Sequence, residues 1–343
     1  MRNHNCRLPT SINQQLIKKI YMAKDKLNID LFITKNGKNY RKSETANKTE
    51  IKNYFLKKGF NVLDIKQLWR HIHGKLEKNN KIFFFKMSST PGIGERTQNE
   101  VSWNKQICEL IKKFNIDYFN VPKIYDYGHY QEKFYYLSSY YSGQFLSQKN
   151  PFNIKNLSKW IDKIVKTNLF FLSLKNIKFY RDKDSKNLIE KWDDYFKKNN
   201  NRYEEIKENQ LENVINEVKN LKNTYTAGVN HGDFVPWHMI QDTGKFTLID
   251  GEHASSQTPR YYDICYFYHR VYTSANAPKF AKYYLSKIRQ SIPLSEKNKF
   301  DISIRPILAS RIIGGFWDAK TNGLKDLTYH NQLKKDFSKN NLY

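Results

Sequence analysis

Two carboxylates that one hairpin would bring to the same end constrain this chain more than any other feature. The stretch Val229-Asn230-His231-Gly232-Asp233-Phe234-Val235-Pro236-Trp237-His238-Met239-Ile240 is followed by Asp242-Thr243-Gly244-Lys245 and then by Phe246-Thr247-Leu248-Ile249-Asp250-Gly251-Glu252. Pro236 interrupts regular structure, so the residues around Asp233 read as a loop. Asp242 to Lys245 is a turn signal between two apolar runs, as expected for a β-hairpin. Closing that hairpin brings Asp233 and Asp250 together although they lie 17 positions apart. Carboxylates meeting in this way repel unless something positive lies between them. A metal ion, a basic substrate, or both would supply the charge.

A second tension lies upstream. Ile82-Phe83-Phe84-Phe85-Lys86-Met87 is an apolar strand with one charge inside it. A lysine in such a run is costly to bury unless it is paired. Thr97-Gln98-Asn99-Glu100 then opens a helix expected to run to about Phe114, and Thr97 with Glu100 fits a capping box. Glu100, Ile107, Ile111 and Phe114 also fall on one helical stripe, which turns Glu100 inward, where a carboxylate needs a cation.

The two stretches together resemble the aminoglycoside phosphotransferase and choline kinase family, which shares the protein-kinase fold. His231-Gly232-Asp233 is similar to the first part of the family's H-G-D-x-x-x-x-N loop, and Ile249-Asp250-Gly251-Glu252 to its I-D-x-E strand end. The resemblance implies Asp233 as the base or orienter of a substrate hydroxyl and Asp250 as a Mg²⁺ ligand. His238 stands in the place of the metal-binding Asn, a departure that leaves Mg²⁺ or Mn²⁺ open. Lys86 resembles the strand lysine that holds the α/β-phosphates of ATP, with Glu100 as its partner. Val121-Pro122-Lys123-Ile124-Tyr125-Asp126-Tyr127-Gly128 looks like the strand before the family's hinge, which puts adenine-binding backbone at about Ser139, Tyr140 and Tyr141. Thr258-Pro259-Arg260-Tyr261-Tyr262-Asp263 resembles the segment whose Asp braces the catalytic loop, so Asp263, like His231, is expected to be structural support. Glu252 is expected to reach a second metal or the substrate. From residue 56 to Lys86 only Gly59 and Gly74 occur, so no glycine-rich loop is assigned, and Pro91-Gly92-Ile93-Gly94 reads as a flexible connection.

The expected architecture is α+β, a two-lobe protein-kinase-like fold. Residues 1–55 form an N-terminal extension or the start of the small lobe, 56–140 the small nucleotide-binding lobe, and 141–343 the larger, mostly helical lobe. In residues 1–55 the pattern allows a helix at Ile12 to Met22, a strand at Leu31-Phe32-Ile33 and a polar loop at Ser43 to Thr49. Helices are expected over Ile154 to Leu174, Lys186 to Lys198 and Tyr203 to Leu221, the last charged and solvated. Gly314-Gly315 reads as a helix break and the C-terminus as a frayed polar tail.

Charge and composition narrow the partners. The 343 residues carry a formal net charge of +26. The lysines are spread along the chain rather than gathered on one basic helix, which favours a solvated surface over a nucleic-acid partner. Cys6, Cys108 and Cys265 are too few and too far apart for a disulfide framework or a zinc site. No apolar run is long enough to span a membrane, and the N-terminus lacks a secretory core, so a cytoplasmic protein is expected. The expected function is ATP-dependent phosphorylation of a hydroxyl on a small molecule. A polycationic aminoglycoside suits a chain of this charge poorly, and a neutral or anionic polyol suits it better. A nucleotide-binding pseudokinase scaffold and a basic nucleic-acid-associated protein remain as alternatives.

Overall fold

The computed structural model describes residues 45–68, 70–183, 188–206 and 211–343. The helix and strand expected before residue 45 lie outside them. Asn47 accepts from the amides of Thr49 and Glu50 and so caps α1 (Lys48–Lys57). There follow β1 (Asn61–Leu68), β2 (His71–Lys78), β3 (Lys81–Ser88), α2 (Pro91–Lys113), β4 (Phe119–Asn120), β5 (Ile124–Tyr130) and β6 (Lys133–Ser139). Five strands form one antiparallel sheet in the order β1-β2-β3-β6-β5. The period of two sends Phe85, Met87, Tyr135 and Leu137 to one face, where they meet Ile51 and Phe55 of α1. It sends Phe84, Phe134 and Tyr136 to the other face, against Val101 of α2. Lys86 pairs in register with Tyr136 and shares that second face. Residues 48–57 therefore belong to the small lobe, and the boundary drawn at residue 55 falls inside a helix.

The start of α2 differs from the sequence reading. Pro91-Gly92-Ile93-Gly94 is not a connection but the first turn, with Pro91 at the first helical position and Thr90 Oγ1 accepting from the Ile93 amide. Thr97 is mid-helix and donates to the Ile93 carbonyl, so it is no capping residue. Glu100, Ile107 and Ile111 are buried as expected, but Phe114 lies beyond the stripe and is exposed.

The larger lobe is mainly helical: α3 (Ile154–Ser158), α4 (Ile161–Ser173), α5 (Leu188–Ile206), α6 (Glu212–Lys219), α7 (Leu221–Thr224), α8 (Tyr262–Thr273), α9 (Pro278–Ser291), α10 (Lys297–Thr321) and α11 (Thr328–Ser338). Between α7 and α8 run β7 (Ala227–Asn230), β8 (Met239–Gln241), β9 (Phe246–Leu248) and β10 (Ser255–Pro259). The architecture is the expected α+β one, a small antiparallel-sheet lobe beside a larger helical one. Four local expectations fail. The helix read over Ile154 to Leu174 breaks into α3 and α4. The segment read as solvated buries Val214, Ile215 and Val218 of α6 in the main core. Gly314 and Gly315 do not break α10; Gly315 makes room for the His269 ring, whose Nε2 would lie 2.4 Å from a Cβ there. The C-terminal tail is packed, with Leu333, Phe337 and Leu342 buried. Among the described residues no helix is long and apolar enough to cross a membrane.

Candidate active site

The loop after β7 is held by buried polar groups that leave Asp233 presented. The Asn230 side chain donates to Thr258 Oγ1 (2.9 Å) and the Pro259 carbonyl (3.1 Å), and its oxygen accepts from the Asp263 amide (3.1 Å). The Asp263 carboxylate accepts from the amides of His231 (2.6 Å) and Gly232 (2.9 Å). Burial pushes the Asp263 carboxyl up to about 7 against the pull of these two donors. Gly232 has φ +84°, and a Cβ there would sit 2.4 Å from the His253 carbonyl oxygen, so only glycine fits. His231 is fully buried. Its Nε2 donates to the Ile249 carbonyl (3.0 Å) and its Nδ1 accepts from the Asp233 amide (3.3 Å). This pattern fixes one neutral tautomer, and burial lowers the imidazole to about 4.

The hairpin β8–β9 does what its sequence requires. Met239 pairs with Leu248 and Gln241 with Phe246, and the Asp242 amide donates to the Lys245 carbonyl (2.9 Å) across the turn. Asp250 leaves the hairpin in the left-handed region, at φ 67° and ψ 43°, a conformation that Asp tolerates better than most residues. His238 stands between the two acids. Its Nδ1 lies 3.0 Å from the Asp233 carbonyl oxygen and its Nε2 lies 3.7 Å from Asp250 Oδ2. Ligand atoms of Asp233, His238 and Asp250 lie within 4.8 Å of one another, a spacing that a single cation can bridge. Burial disfavours the protonated imidazole, but the Asp233 and Asp250 carboxylates outweigh it and raise His238 above its ordinary value.

Lys86 joins the two lobes. Its ammonium donates to Glu100 Oε2 (2.6 Å) and Asp250 Oδ1 (2.8 Å), and Glu252 Oε2 is 3.4 Å away. Burial opposes the charge, but the three carboxylates hold Lys86 well above its ordinary value. The same ammonium, acting against burial, keeps Asp250 and Glu252 below the usual carboxylate range. Burial pushes Glu100 up to about 7, with Lys86 pulling the other way. Oxygens of Glu100, Asp250 and Glu252 also lie within 4.8 Å of one another, and the cation among them is Lys86 itself.

The sequence profile of the phosphotransferase enzyme family, APH, matches residues 63–289. The chain belongs to this phosphotransferase family. No curated protein matches it. Among solved structures, the apo form of a thermostable mutant of aminoglycoside phosphotransferase APH(4)-Ia superposes with a TM-score of 0.60 at 10% identity, covering 86% of this chain and 99% of that one. The GDP complex of aminoglycoside 2'-phosphotransferase-IIIa gives 0.56 at 13% identity, covering 86% and 100%. A ternary complex of an APH(4)-Ia mutant with ADP and hygromycin B gives 0.53 at 13% identity, covering 83% and 98%. At these identities the likeness shows the fold.

In this phosphotransferase Lys86, Glu100, Asp233, His238 and Asp250 converge, with His231 and Asp263 beneath the loop. Glu252 is 1% exposed and faces Arg70 (2.7 Å), Arg96 (3.7 Å), His71 (3.4 Å) and His253 (3.3 Å) as well as Lys86. Arg70, His71 and Arg96 were not singled out in the sequence. Arg70 precedes β2, His71 opens it and Arg96 lies in the second turn of α2, and no local pattern marks the three. Ser139 ends β6 with its amide spent on the Lys123 carbonyl (2.9 Å). Tyr140 and Tyr141 follow outside any helix or strand, with Lys75 Nζ 4.7 Å over the Tyr140 ring.

Proposed function

We propose that this phosphotransferase moves the γ-phosphoryl group of ATP onto a hydroxyl of a small molecule. The reading is carried by Lys86, whose ammonium meets Glu100 of the small lobe and Asp250 of the large one at 2.6 and 2.8 Å. A buried lysine poised between the lobes is suited to hold nucleotide phosphates, and Glu100 fixes its position. The backbone of Tyr140 and Tyr141 would take the adenine, with Ser139 contributing its carbonyl. Asp233 would orient the acceptor hydroxyl and accept its proton. The donor set Asp233, His238 and Asp250 fits one divalent cation, which when bound neutralises charge on the phosphates. Asp250 and His238 are the assigned ligands. Mg²⁺ favours oxygen donors and imidazole suits softer ions, so His238 shifts the preference toward Mn²⁺.

His238 in the Asn position also supports a second reading, a nucleotide-binding pseudokinase. Incubation with γ-labelled ATP, Mg²⁺ or Mn²⁺, and a panel of sugars, amino alcohols and antibiotics separates the two. Label on an acceptor supports the enzyme. Bound nucleotide with no labelled acceptor under either metal supports the scaffold.

A further inference from the structure

Lys198 and Arg202 on α5 and Arg311 on α10 form a cationic cluster that none of the assignments above uses. Arg311 is buried, with its guanidinium 4.8 Å over the Tyr266 ring and 5.8 Å over Tyr262, and Nη1 3.3 Å from the Tyr262 hydroxyl. Its Nε is buried with no hydrogen-bond partner. The Arg202 guanidinium stacks 4.9 Å over Trp317. A Cβ on Gly314 would lie 3.1 Å from Arg202 Nη1 and 3.7 Å from Arg311 Cζ, so the two guanidinium groups are near neighbours across one turn of α10. Among the described residues none of the three cations forms a salt bridge. The Asp318 charge acts on all three.

Crowding of like charge is visible at Lys198. Burial, then Arg202, Arg311 and Arg181, bring its ammonium down to about 8. Lys198 is nevertheless exposed, so its ammonium is open to a ligand from solvent. Tyr266 ties this cluster to the chemistry. Its ring carries Arg311, and the Asp233 charge acts on its hydroxyl.

Among the described residues no carboxylate forms a salt bridge with these three cations, so an anion that joins them offsets their mutual repulsion. We propose that Lys198, Arg202 and Arg311 bind an oxyanion of the acceptor, a phosphate or carboxylate set away from the reacting hydroxyl. The substrate is then an anionic hydroxyl compound, not a polycation. This assignment rests on the phosphotransferase reading. The acceptor oxygen forms the new bond to the γ-phosphorus, the bond from that phosphorus to the β–γ bridging oxygen breaks, the hydroxyl proton passes to Asp233, and ADP leaves.

Two measurements test it. In calorimetry without nucleotide, inorganic phosphate and pyrophosphate bind the wild type. The Lys198→Ala and Arg202→Ala variants weaken that binding at least tenfold, whereas Lys197→Ala leaves it within twofold. In transfer assays glycerol, glycerate and glycerol 3-phosphate are compared, as are glucose and glucose 6-phosphate, with kanamycin as the polycation. An anionic member exceeds its neutral parent at least tenfold in kcat/KM, and Lys198→Ala raises its KM at least tenfold. Glycerate against glycerol 3-phosphate tells carboxylate from phosphate. Absence of phosphate binding, binding that the Lys198 and Arg202 variants leave intact, or a preference for kanamycin overturns the proposal. Loss of all Mg-ATP binding with phosphate binding retained at the cluster would instead overturn the phosphotransferase reading and leave the anion site standing.

Discussion

Lys86 and the Lys198–Arg202–Arg311 cluster each hold buried positive charge, at Lys86 and at Arg311, and they offset its cost in opposite ways. Lys86 has three carboxylates within 3.4 Å, and two guanidinium groups, Arg70 and Arg96, complete the balance around Glu252. The second cluster offsets its charge with aromatic faces, Tyr262, Tyr266 and Trp317, and with no ion pair among the described residues. Aromatic faces return only part of what water supplied, on the order of 0.5–2 kcal/mol per contact. The first set is complete as it stands and ties the lobes together. The second would be completed by the proposed anion.

That contrast can be broken at several points. The largest effect belongs to Asp233, which serves neither set as a structural partner. Asp233→Asn should slow phosphoryl transfer by about 10²–10⁴-fold, with the melting temperature little changed. Steady-state kinetics on the true acceptor checks this, and wild-type turnover in the variant would remove Asp233 from the chemistry. Next comes Lys86→Met, which leaves the buried Glu100 and Glu252 and the half-buried Asp250 without their ammonium. A loss of about 3–5 kcal/mol in urea unfolding is expected, as for any broken buried pair. A loss below about 1 kcal/mol would mean that the carboxylates are less enclosed than Glu100 and Glu252 look.

His73 sharpens the same contrast through pH. It faces Lys86 across the β2–β3 register, and burial together with the Lys86 charge lowers its imidazole to about 4. The unfolded chain binds a proton near pH 6.5 and the folded chain does not, so His73 costs stability as pH falls from about 6.5 to 4. The full effect is on the order of 3 kcal/mol. His73→Gln should therefore lose less melting temperature than wild type between pH 7 and pH 5, and parallel losses would contradict the assignment. The smallest effect is expected at the open cluster. Lys198→Ala relieves repulsion and breaks no ion pair, so stability should stay within about 0.5 kcal/mol or rise slightly. A loss of 2 kcal/mol or more would reveal a structural role.

The sequence exposed these regions unequally. Lys86 stood out because a charge interrupts five apolar residues, and Glu100 because it shares a stripe with Ile107 and Ile111. The hairpin was legible from its turn residues, and Asp250 from the strand end. Arg311 sits in an apolar run from Ile307 to Trp317 and carries the same signal as Lys86, yet Gly314-Gly315 drew the reading toward a helix break. Lys198 and Arg202 were hidden in a lysine-rich chain where exposed charge is ordinary. No local pattern joins them to Arg311, because packing of α5 on α10 makes the cluster. Arg70 and Arg96 escaped for the same reason, since their partner Glu252 is 182 and 156 positions away. The start of α2 was readable, because Thr90-Pro91 is a cap followed by a first-turn proline, but the glycines after it outweighed that signal.

The central claim is that the completed set around Lys86 is a nucleotide site. The most direct test is the unfolding free energy of the wild type, Lys86→Met and Lys78→Ala with and without millimolar Mg-ATP. At about one hundred times the dissociation constant, the nucleotide should stabilise the wild type and Lys78→Ala by roughly 2.7 kcal/mol. Lys86→Met should gain much less. An unchanged wild type, or an equal gain in Lys86→Met, would contradict the claim.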